Sequence, residues 1–305
     1  MSVVRITNFT RRYGSFTAVD NFSLAAEPGE LMALVGPDGA GKTTLFRSIC
    51  GLLEYNSGEI NVAGYDVKTQ FDKIKPFLGY MPQNFSLYPD LSVEENLSFY
   101  AGLFGLSGEQ FKEKKRRLYD FSGLGPFTGR RAGMLSGGMK QKLALCCNLV
   151  HDPKVLILDE PTTGVDPVSR RQFWEILKTL KEGGSTIIVS TPYMDEVELA
   201  DRAVFIFDGR KLAEARPKEF PGMFKGSVYQ IGIVPDRDRM ARLKTIEGLT
   251  FRRFGSSTHL YVPPGRRIED YRDNLRQLGL PTENITPIEP ELEDVFIQLM
   301  EQKHA

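Results

Sequence analysis

The segment at residues 36–43, GPDGAGKT, constrains this chain more than any other feature because it matches the pattern G-x-x-x-x-G-K-S/T. A short apolar run at residues 31–35 precedes it and predicts a buried strand, and residues 43–50 predict a helix after it. Glycines let the backbone curl so that its N–H groups face a phosphate, and the helix start adds a partial positive charge. The segment predicts a phosphate-binding loop, with a glycine-rich turn that binds no nucleotide as the alternative.

The side chains of this loop suggest how a nucleotide is held. Lys42 can pair with the β- and γ-phosphate oxygens of ATP, and the hydroxyl of Thr43 can ligate Mg²⁺. We therefore expect ATP to contact the loop and the start of its helix, at Gly36, Asp38, Gly39, Ala40, Gly41, Lys42, Thr43 and Thr44.

A second apolar run, at residues 155–158, ends in the two carboxylates Asp159 and Glu160. In a nucleotide hydrolase with a phosphate-binding loop, Asp159 would hold the Mg²⁺ shell. Glu160 could then orient or deprotonate the attacking water. Glu160 and Lys42, which pairs with the phosphates, are the two predicted catalytic residues. The alternative is a strand end capped by two solvated acids.

Strand and helix patterns alternate through the first two thirds of the chain. Residues 186–189 and 203–207 predict further buried strands, and residues 168–182 predict an amphipathic helix. This alternation indicates an α/β fold with a largely parallel sheet. Residues 90–151 are mostly helical in pattern and predict an inserted helical subdomain.

A cluster of Pro, Gly and Lys at residues 217–226 predicts a domain boundary. We assign residues 1–220 to the larger domain and residues 221–305 to a small α+β domain. The predicted order of the first six elements after the boundary is strand, helix, strand, strand, helix, strand, which is the order of a ferredoxin-like split βαβ unit. A final helix is predicted at residues 291–300.

The segment LSGG at residues 135–138 lies shortly before Asp159 and resembles the signature motif of ABC transporter ATPases. Three further landmarks of that family occur in order: Tyr13 at the adenine-stacking position, Gln83 at the Q-loop and Asp166 at the D-loop. The resemblance covers about residues 3–220 and implies a P-loop NTPase core of the ABC ATPase type. Met139 stands where the family usually has Gln.

The resemblance implies a head-to-tail dimer, either a homodimer or a heterodimer with a second ABC ATPase, with ATP in the interface. Ser136, Gly137 and Gly138 would open a helix whose amides face the γ-phosphate held by the partner subunit. Gln83 would join Thr43 and Asp159 around Mg²⁺. The alternatives are an ordinary helix N-cap for residues 136–138, a strand-end aromatic residue for Tyr13, and a plain loop residue for Gln83.

One family landmark is replaced. Pro192 stands where the family has a switch histidine that reaches the γ-phosphate. Proline has no side-chain donor and no backbone N–H, so it cannot make that contact. Either the site on this chain's own loop hydrolyses ATP slowly and the chain pairs with a different ATPase, or Glu160 suffices and the chain forms an ordinary homodimer. Thr191 and Tyr193 are candidates to replace the histidine.

Composition and the C-terminal sequence narrow the function. The 39 Lys and Arg residues balance the 39 Asp and Glu residues, so nucleic acid is not an expected partner. The segment EPELEDVF at residues 289–296 resembles the C-terminal extension of drug, lipid or polysaccharide exporter ATPases. We therefore expect the ATP-hydrolysing motor of an exporter, bound to a transmembrane permease subunit at the cytoplasmic face of the membrane. A non-hydrolysing ATP-binding partner and a soluble ABC ATPase without a transport role are the alternatives.

Overall fold

A computed structural model describes residues 2–84 and 87–304, which form two compact units, 1–217 and 218–305. The division lies three residues before the predicted boundary at residue 220. The first unit contains these strands and helices: β1 (Val4–Tyr13), β2 (Phe16–Ala26), β3 (Leu31–Val35), α1 (Lys42–Ile49), β4 (Ser57–Val62), β5 (Tyr65–Asp66), α2 (Phe71–Ile74), β6 (Leu78–Met81), α3 (Val93–Leu103), α4 (Gly108–Ser122), α5 (Gly137–Leu149), β7 (Val155–Asp159), α6 (Pro167–Glu182), β8 (Thr186–Thr191), α7 (Met194–Val197), β9 (Arg202–Phe207) and β10 (Arg210–Ala215).

The larger sheet of this unit has the strand order β10-β9-β3-β8-β7-β6. Its five strands from β9 to β6 are parallel, and β10 pairs antiparallel with β9 at one edge. The central strands β3, β7 and β8 are buried along their whole length, as expected for a parallel sheet covered on both faces. The predicted strands are all present, and β7, β8 and β9 extend beyond them by one or two residues.

A smaller antiparallel sheet, in the order β2-β1-β4-β5, lies beside the larger one. The two sheets and α1 share one hydrophobic core, because buried side chains from all three belong to a single cluster that includes Phe9, Phe22, Leu34, Phe46, Ile60 and Ile157. The core thereby fixes α1 and the preceding loop against β3.

The helical segment predicted at residues 90–151 consists mainly of α3, α4 and α5. A capping box begins α3: Ser92 Oγ accepts a hydrogen bond from the Glu95 amide, and the Glu95 carboxylate accepts one from the Ser92 amide.

The adjacent residues Cys146 and Cys147 on α5 are buried, and burial raises the pKa of Cys146 to about 12. No helix within residues 2–84 and 87–304 has the length and apolar character to cross a membrane.

The second unit is a four-stranded antiparallel sheet with helices. Its elements are β11 (Ser227–Ile231), α8 (Arg237–Leu243), β12 (Thr250–Phe254), β13 (Ser257–Val262), α9 (Arg272–Gln277), β14 (Ile285–Ile288) and α10 (Leu292–His304). The strand order is β12-β13-β11-β14, which is the order of a ferredoxin-like split βαβ unit. The helix predicted at residues 266–278 is divided into a 3₁₀ turn, Ile268–Tyr271, and the shorter α9.

Candidate nucleotide-binding site

The phosphate-binding loop connects β3 to α1, which is the structural context that the motif requires. At Gly36 a Cβ atom would lie 2.2 Å from the carbonyl oxygen of Ile206. At Gly41 the backbone has φ 101°, and a Cβ atom would lie 2.6 Å from the carbonyl oxygen of Ala18. Both positions need glycine, because any side chain would collide with backbone of a neighbouring segment.

Lys42 lies at the centre of the site with a side chain that is almost completely buried. Its Nζ donates hydrogen bonds to the carbonyl oxygens of Gly36 (2.8 Å) and Pro37 (3.0 Å). The same Nζ forms an ion pair with Glu160, 3.0 Å from Oε1. The ammonium group is therefore held beside the loop and one of the two predicted acids.

Asp159 ends β7 and is fully buried. Its Oδ1 accepts a hydrogen bond from Ser190 Oγ at 2.8 Å, whereas its buried Oδ2 has no hydrogen-bond partner. Burial raises the pKa of Asp159, and the hydrogen bond from Ser190 and the nearby Thr43 hydroxyl oppose that rise. An unpaired buried carboxylate oxygen beside the Thr43 hydroxyl fits a site for a hard cation such as Mg²⁺. Among the described residues, no group of three or more His, Cys, Asp or Glu side chains could hold a metal by itself.

Glu160 follows in a left-handed backbone conformation, φ 49°. Its Oε2 accepts hydrogen bonds from Gln83 Nε2 (2.9 Å) and Thr163 Oγ1 (3.2 Å). The structure therefore brings Gln83 to Glu160, the predicted catalytic base, while the role of Gln83 as a Mg²⁺ ligand stays a prediction.

Ser136, Gly137 and Gly138 begin α5, as the motif predicts. Ser136 is the N-cap, and its Oγ accepts a hydrogen bond from the Met139 amide at 3.3 Å. A Cβ atom on Gly138 would lie 2.6 Å from Cβ of Ser169 in α6, so this glycine allows α5 to pack closely against α6. Ser136 and Gly137 are exposed. Ser136 therefore acts as an ordinary helix N-cap. The start of α5 is also exposed, so a phosphate could reach its first backbone amides.

Two other predicted residues lie at the ends of elements. Tyr13 ends β1 and is 44% exposed, with the guanidinium carbon of Arg11 4.4 Å from its ring centroid. Asp166 is the N-cap of α6, and its side chain accepts a hydrogen bond from the Ser169 amide at 2.9 Å. Tyr13 is accessible for stacking, and Asp166 has a structural role independent of a partner subunit.

The switch region is held in place by contacts that the sequence did not reveal. Thr191 is buried, and its hydroxyl donates to Glu196 and accepts a hydrogen bond from the Tyr193 amide at 3.0 Å. The guanidinium carbon of Arg170 lies 4.6 Å from the ring centroid of Tyr193. The hydroxyl of Thr191 is therefore engaged within the turn that contains Pro192.

Sequence reasoning missed Ser190, Glu196 and Arg170. The usable signal was the end of the apolar run at residues 186–189, which two consecutive hydroxyl residues, Ser190 and Thr191, follow directly. The structure shows both to be fully buried at the end of β8. A buried hydroxyl needs a hydrogen-bond partner, and the acids at the end of the neighbouring strand were the obvious candidates.

Comparison with known proteins identifies the family. The sequence profile described as "ABC transporter" matches residues 19–163. A "Nod factor export ATP-binding protein I" of Burkholderia pseudomallei (strain K96243) is 40% identical over 298 residues, covering 95% of this chain and 94% of that protein. The chain belongs to the family of ABC transporter ATP-binding proteins. A "Probable multidrug ABC transporter ATP-binding protein YbhF" of Escherichia coli (strain K12) is also 40% identical over 98% of this ABC protein, which spans about half, 52%, of that relative's length.

Solved structures of ATP-binding cassettes share the fold of this ABC protein. One, described as an ATP-binding subunit of an ABC transporter, is 27% identical with a TM-score of 0.66 and covers 73% of this chain and 93% of its own. Another is a dimeric cassette in a post-hydrolysis state bound to ADP and Pi. It is 26% identical with a TM-score of 0.63 and covers 70% of this chain and 98% of its own.

Proposed function

We propose that this chain binds ATP with Mg²⁺ and hydrolyses it, as the motor subunit of an ABC exporter. The observation that carries this proposal is the convergence of Lys42, Asp159 and Glu160 beside the phosphate-binding loop. Lys42 begins α1, whereas Asp159 ends β7 and Glu160 follows it directly. The Lys42–Glu160 ion pair connects these two segments.

Each residue has a distinct task in this reaction. The amides of the loop bind the phosphates, and Lys42 can exchange the carboxylate of Glu160 for phosphate oxygens. Glu160, once separated from Lys42, can orient or deprotonate the attacking water. Thr43, Asp159 and Gln83 would hold Mg²⁺, which supplies positive charge to the β- and γ-phosphates.

A dimer completes this site. Ser136 and Gly137 present the exposed start of α5, where helix amides can bind the γ-phosphate on a second subunit. Large apolar side chains near this surface are also exposed: Met134 is 73% exposed and Val168 is 68% exposed. The dimeric cassette with ADP and Pi supports this arrangement by similarity.

A transmembrane permease is the proposed second partner. Exposed aromatic and aliphatic side chains lie on and beside α3, where Tyr88 and Phe99 have ring centroids 4.7 Å apart, and Leu103 and Phe104 follow. An apolar surface of this kind suits a short helix of a membrane subunit. With a permease of the ABC type as its partner, the proposed location of the chain is the cytoplasmic face of the membrane. The names of the relatives, Nod factor export and multidrug transporter ATP-binding proteins, favour export over a soluble role.

A non-hydrolysing subunit is the second candidate, because the hydroxyl of Thr191 is occupied and Pro192 has no donor. The two functions are separated by measuring ATP turnover of the purified chain beside Glu160→Gln, with ATP binding confirmed for both proteins. Turnover that is lost in Glu160→Gln supports the motor. ATP binding without turnover in the wild-type chain supports the silent partner, and no ATP binding contradicts both.

A further inference from the structure

Ser190 contacts both predicted acids with a single hydroxyl group. It lies in β8 directly opposite Asp159 of β7 and is fully buried. Its Oγ donates a hydrogen bond to Asp159 Oδ1 at 2.8 Å and accepts one from the Glu160 amide at 2.9 Å. Both bonds lie within the ordinary range for their donor types.

The bond to the Glu160 amide stabilises a turn that is costly by itself. Glu160 has a positive φ, a conformation that non-glycine residues adopt at a cost of order 1–3 kcal/mol. The turn directs the Glu160 side chain toward Lys42 and Gln83. A buried amide in such a turn needs an acceptor, and the Ser190 oxygen provides it.

The bond to Asp159 determines which carboxylate oxygen is available. Ser190 occupies Oδ1, and the other buried oxygen, Oδ2, has no partner. Fixing the carboxylate in this orientation leaves Oδ2 for a cation. Residues that hold a metal ligand in place in this way commonly change metal affinity about 10- to 100-fold when they are removed.

We infer that Ser190 is a positioning residue, which sets Asp159 for the Mg²⁺ of the bound nucleotide and holds the turn that carries Glu160. The inference rests on the proposed function of this site. It assigns the residue no contact with substrate.

The test compares Ser190→Ala with the wild-type chain by two measurements. The first is hydrogen exchange of the Glu160 amide by NMR without nucleotide, where loss of the Ser190 acceptor should speed exchange about tenfold. The second is ADP affinity by calorimetry, with Mg²⁺ and then with EDTA. We expect the gain in affinity that Mg²⁺ provides to fall about tenfold or more, while affinity in EDTA stays at the wild-type value.

Thr186→Val is the matched control. Thr186 lies at the other end of β8, is similarly buried, and its hydroxyl accepts a hydrogen bond from the Gly29 amide. It should change neither measurement. If Ser190→Ala does not fold, Ser190→Cys, which keeps the volume with a weaker donor, is measured in the same way.

An unchanged Mg²⁺-dependent gain in Ser190→Ala overturns the inference and leaves the proposed function intact. An equal loss of ADP affinity in Mg²⁺ and in EDTA also overturns it, because that pattern indicates general damage. A wild-type chain that binds no ADP in either condition overturns the proposed function first, and the inference with it.

Discussion

Lys42 and Glu160 form an ion pair with 3.0 Å between Nζ and Oε1, and side-chain exposures of 3% and 5%. Burial of two charges is unfavourable unless their remaining hydrogen-bonding positions are also satisfied. Here Lys42 has two carbonyl acceptors, and Glu160 has two side-chain donors. The pair therefore belongs to a connected network, and removing either partner leaves the other charge without compensation.

We predict that Lys42→Met lowers the free energy of unfolding by about 3 kcal/mol in the absence of nucleotide. The reason is that Glu160 would stay buried without a cation. The double variant Lys42→Met with Glu160→Gln should recover part of this loss, because it removes the unpaired carboxylate. Chemical denaturation of the wild type, both single variants and the double variant measures the coupling. Additive changes would contradict the interpretation.

Pro192 gives a prediction about rate. We expect Pro192→His to raise ATP turnover by about 10²-fold, since one transition-state donor is typically worth 10²–10³ in rate. The structure supports this expectation, because the neighbouring hydroxyl of Thr191 is already bonded to Glu196. Single-turnover ATP hydrolysis with saturating Mg²⁺ is the measurement.

The control for this substitution is Pro192→Ala, which also restores the backbone N–H but offers no side-chain donor. An equal gain in both variants would show that the backbone and not the imidazole is responsible. Unchanged turnover in Pro192→His, with turnover present in the wild type, would show that the chain hydrolyses ATP without a donor at this position.

The two signature glycines should respond differently to alanine. Gly138→Ala would place Cβ 2.6 Å from Cβ of Ser169, so we expect a loss of about 1–3 kcal/mol in stability. Ser169→Gly in the same chain should restore most of it. At Gly137 a Cβ atom would lie 3.6 Å from the nearest neighbour, the carbonyl oxygen of Gly164, and stability should stay within about 0.5 kcal/mol of the wild type. Thermal unfolding tests both, and equal losses would contradict the packing argument.

What the sequence could predict depended on how local each feature is. The loop at residues 36–43 and the strand ending at Asp159 are contiguous patterns, and their structural contexts were predicted correctly. The contact of Gly138 with Ser169 joins segments about 30 residues apart, and the packing reason for this glycine was therefore not visible. Ser190 was missed for the same reason, because its role depends on strand β7 lying beside β8. The split of the helix predicted at residues 266–278 reflects local 3₁₀ geometry, which hydrophobic spacing does not resolve.

In the C-terminal unit, Asp294 joins α10 to the sheet. Its buried carboxylate accepts hydrogen bonds from the Tyr261 hydroxyl (2.7 Å) and the Glu291 amide (2.8 Å), and His259 Nδ1 lies 3.0 Å from Oδ1. We predict that Asp294→Ala destabilises this unit by about 3 kcal/mol, because several buried donors lose their acceptor. Asp294→Asn, which keeps one acceptor oxygen, should lose less. Hydrogen exchange within residues 218–304 is the measurement, and equal exchange in both variants and the wild type would exclude this role.

We expect His151 to make the stability of the first unit, residues 1–217, depend on pH. Its ring stacks on Phe104 with centroids 3.8 Å apart, Nε2 lies 3.1 Å from the carbonyl oxygen of Leu78, and the buried Nδ1 has no hydrogen-bond partner. Burial lowers the pKa of His151 below its ordinary value of 6.5. Between the lowered pKa and about 6.5 the unfolded chain binds more protons than the folded chain, so stability rises with pH in that window and falls as the solution is acidified.

We therefore expect His151→Gln to lose less stability than the wild type on acidification from about pH 7 to about pH 5, even if it is less stable at the higher pH. Chemical denaturation at several pH values isolates this group, because every other titrating residue is common to the two proteins. A wild type and a variant with parallel stability–pH curves would show that the histidine titrates alike in the folded and unfolded chain. A steeper fall in the variant would reverse the sign and place the pKa of folded His151 above that of the unfolded chain.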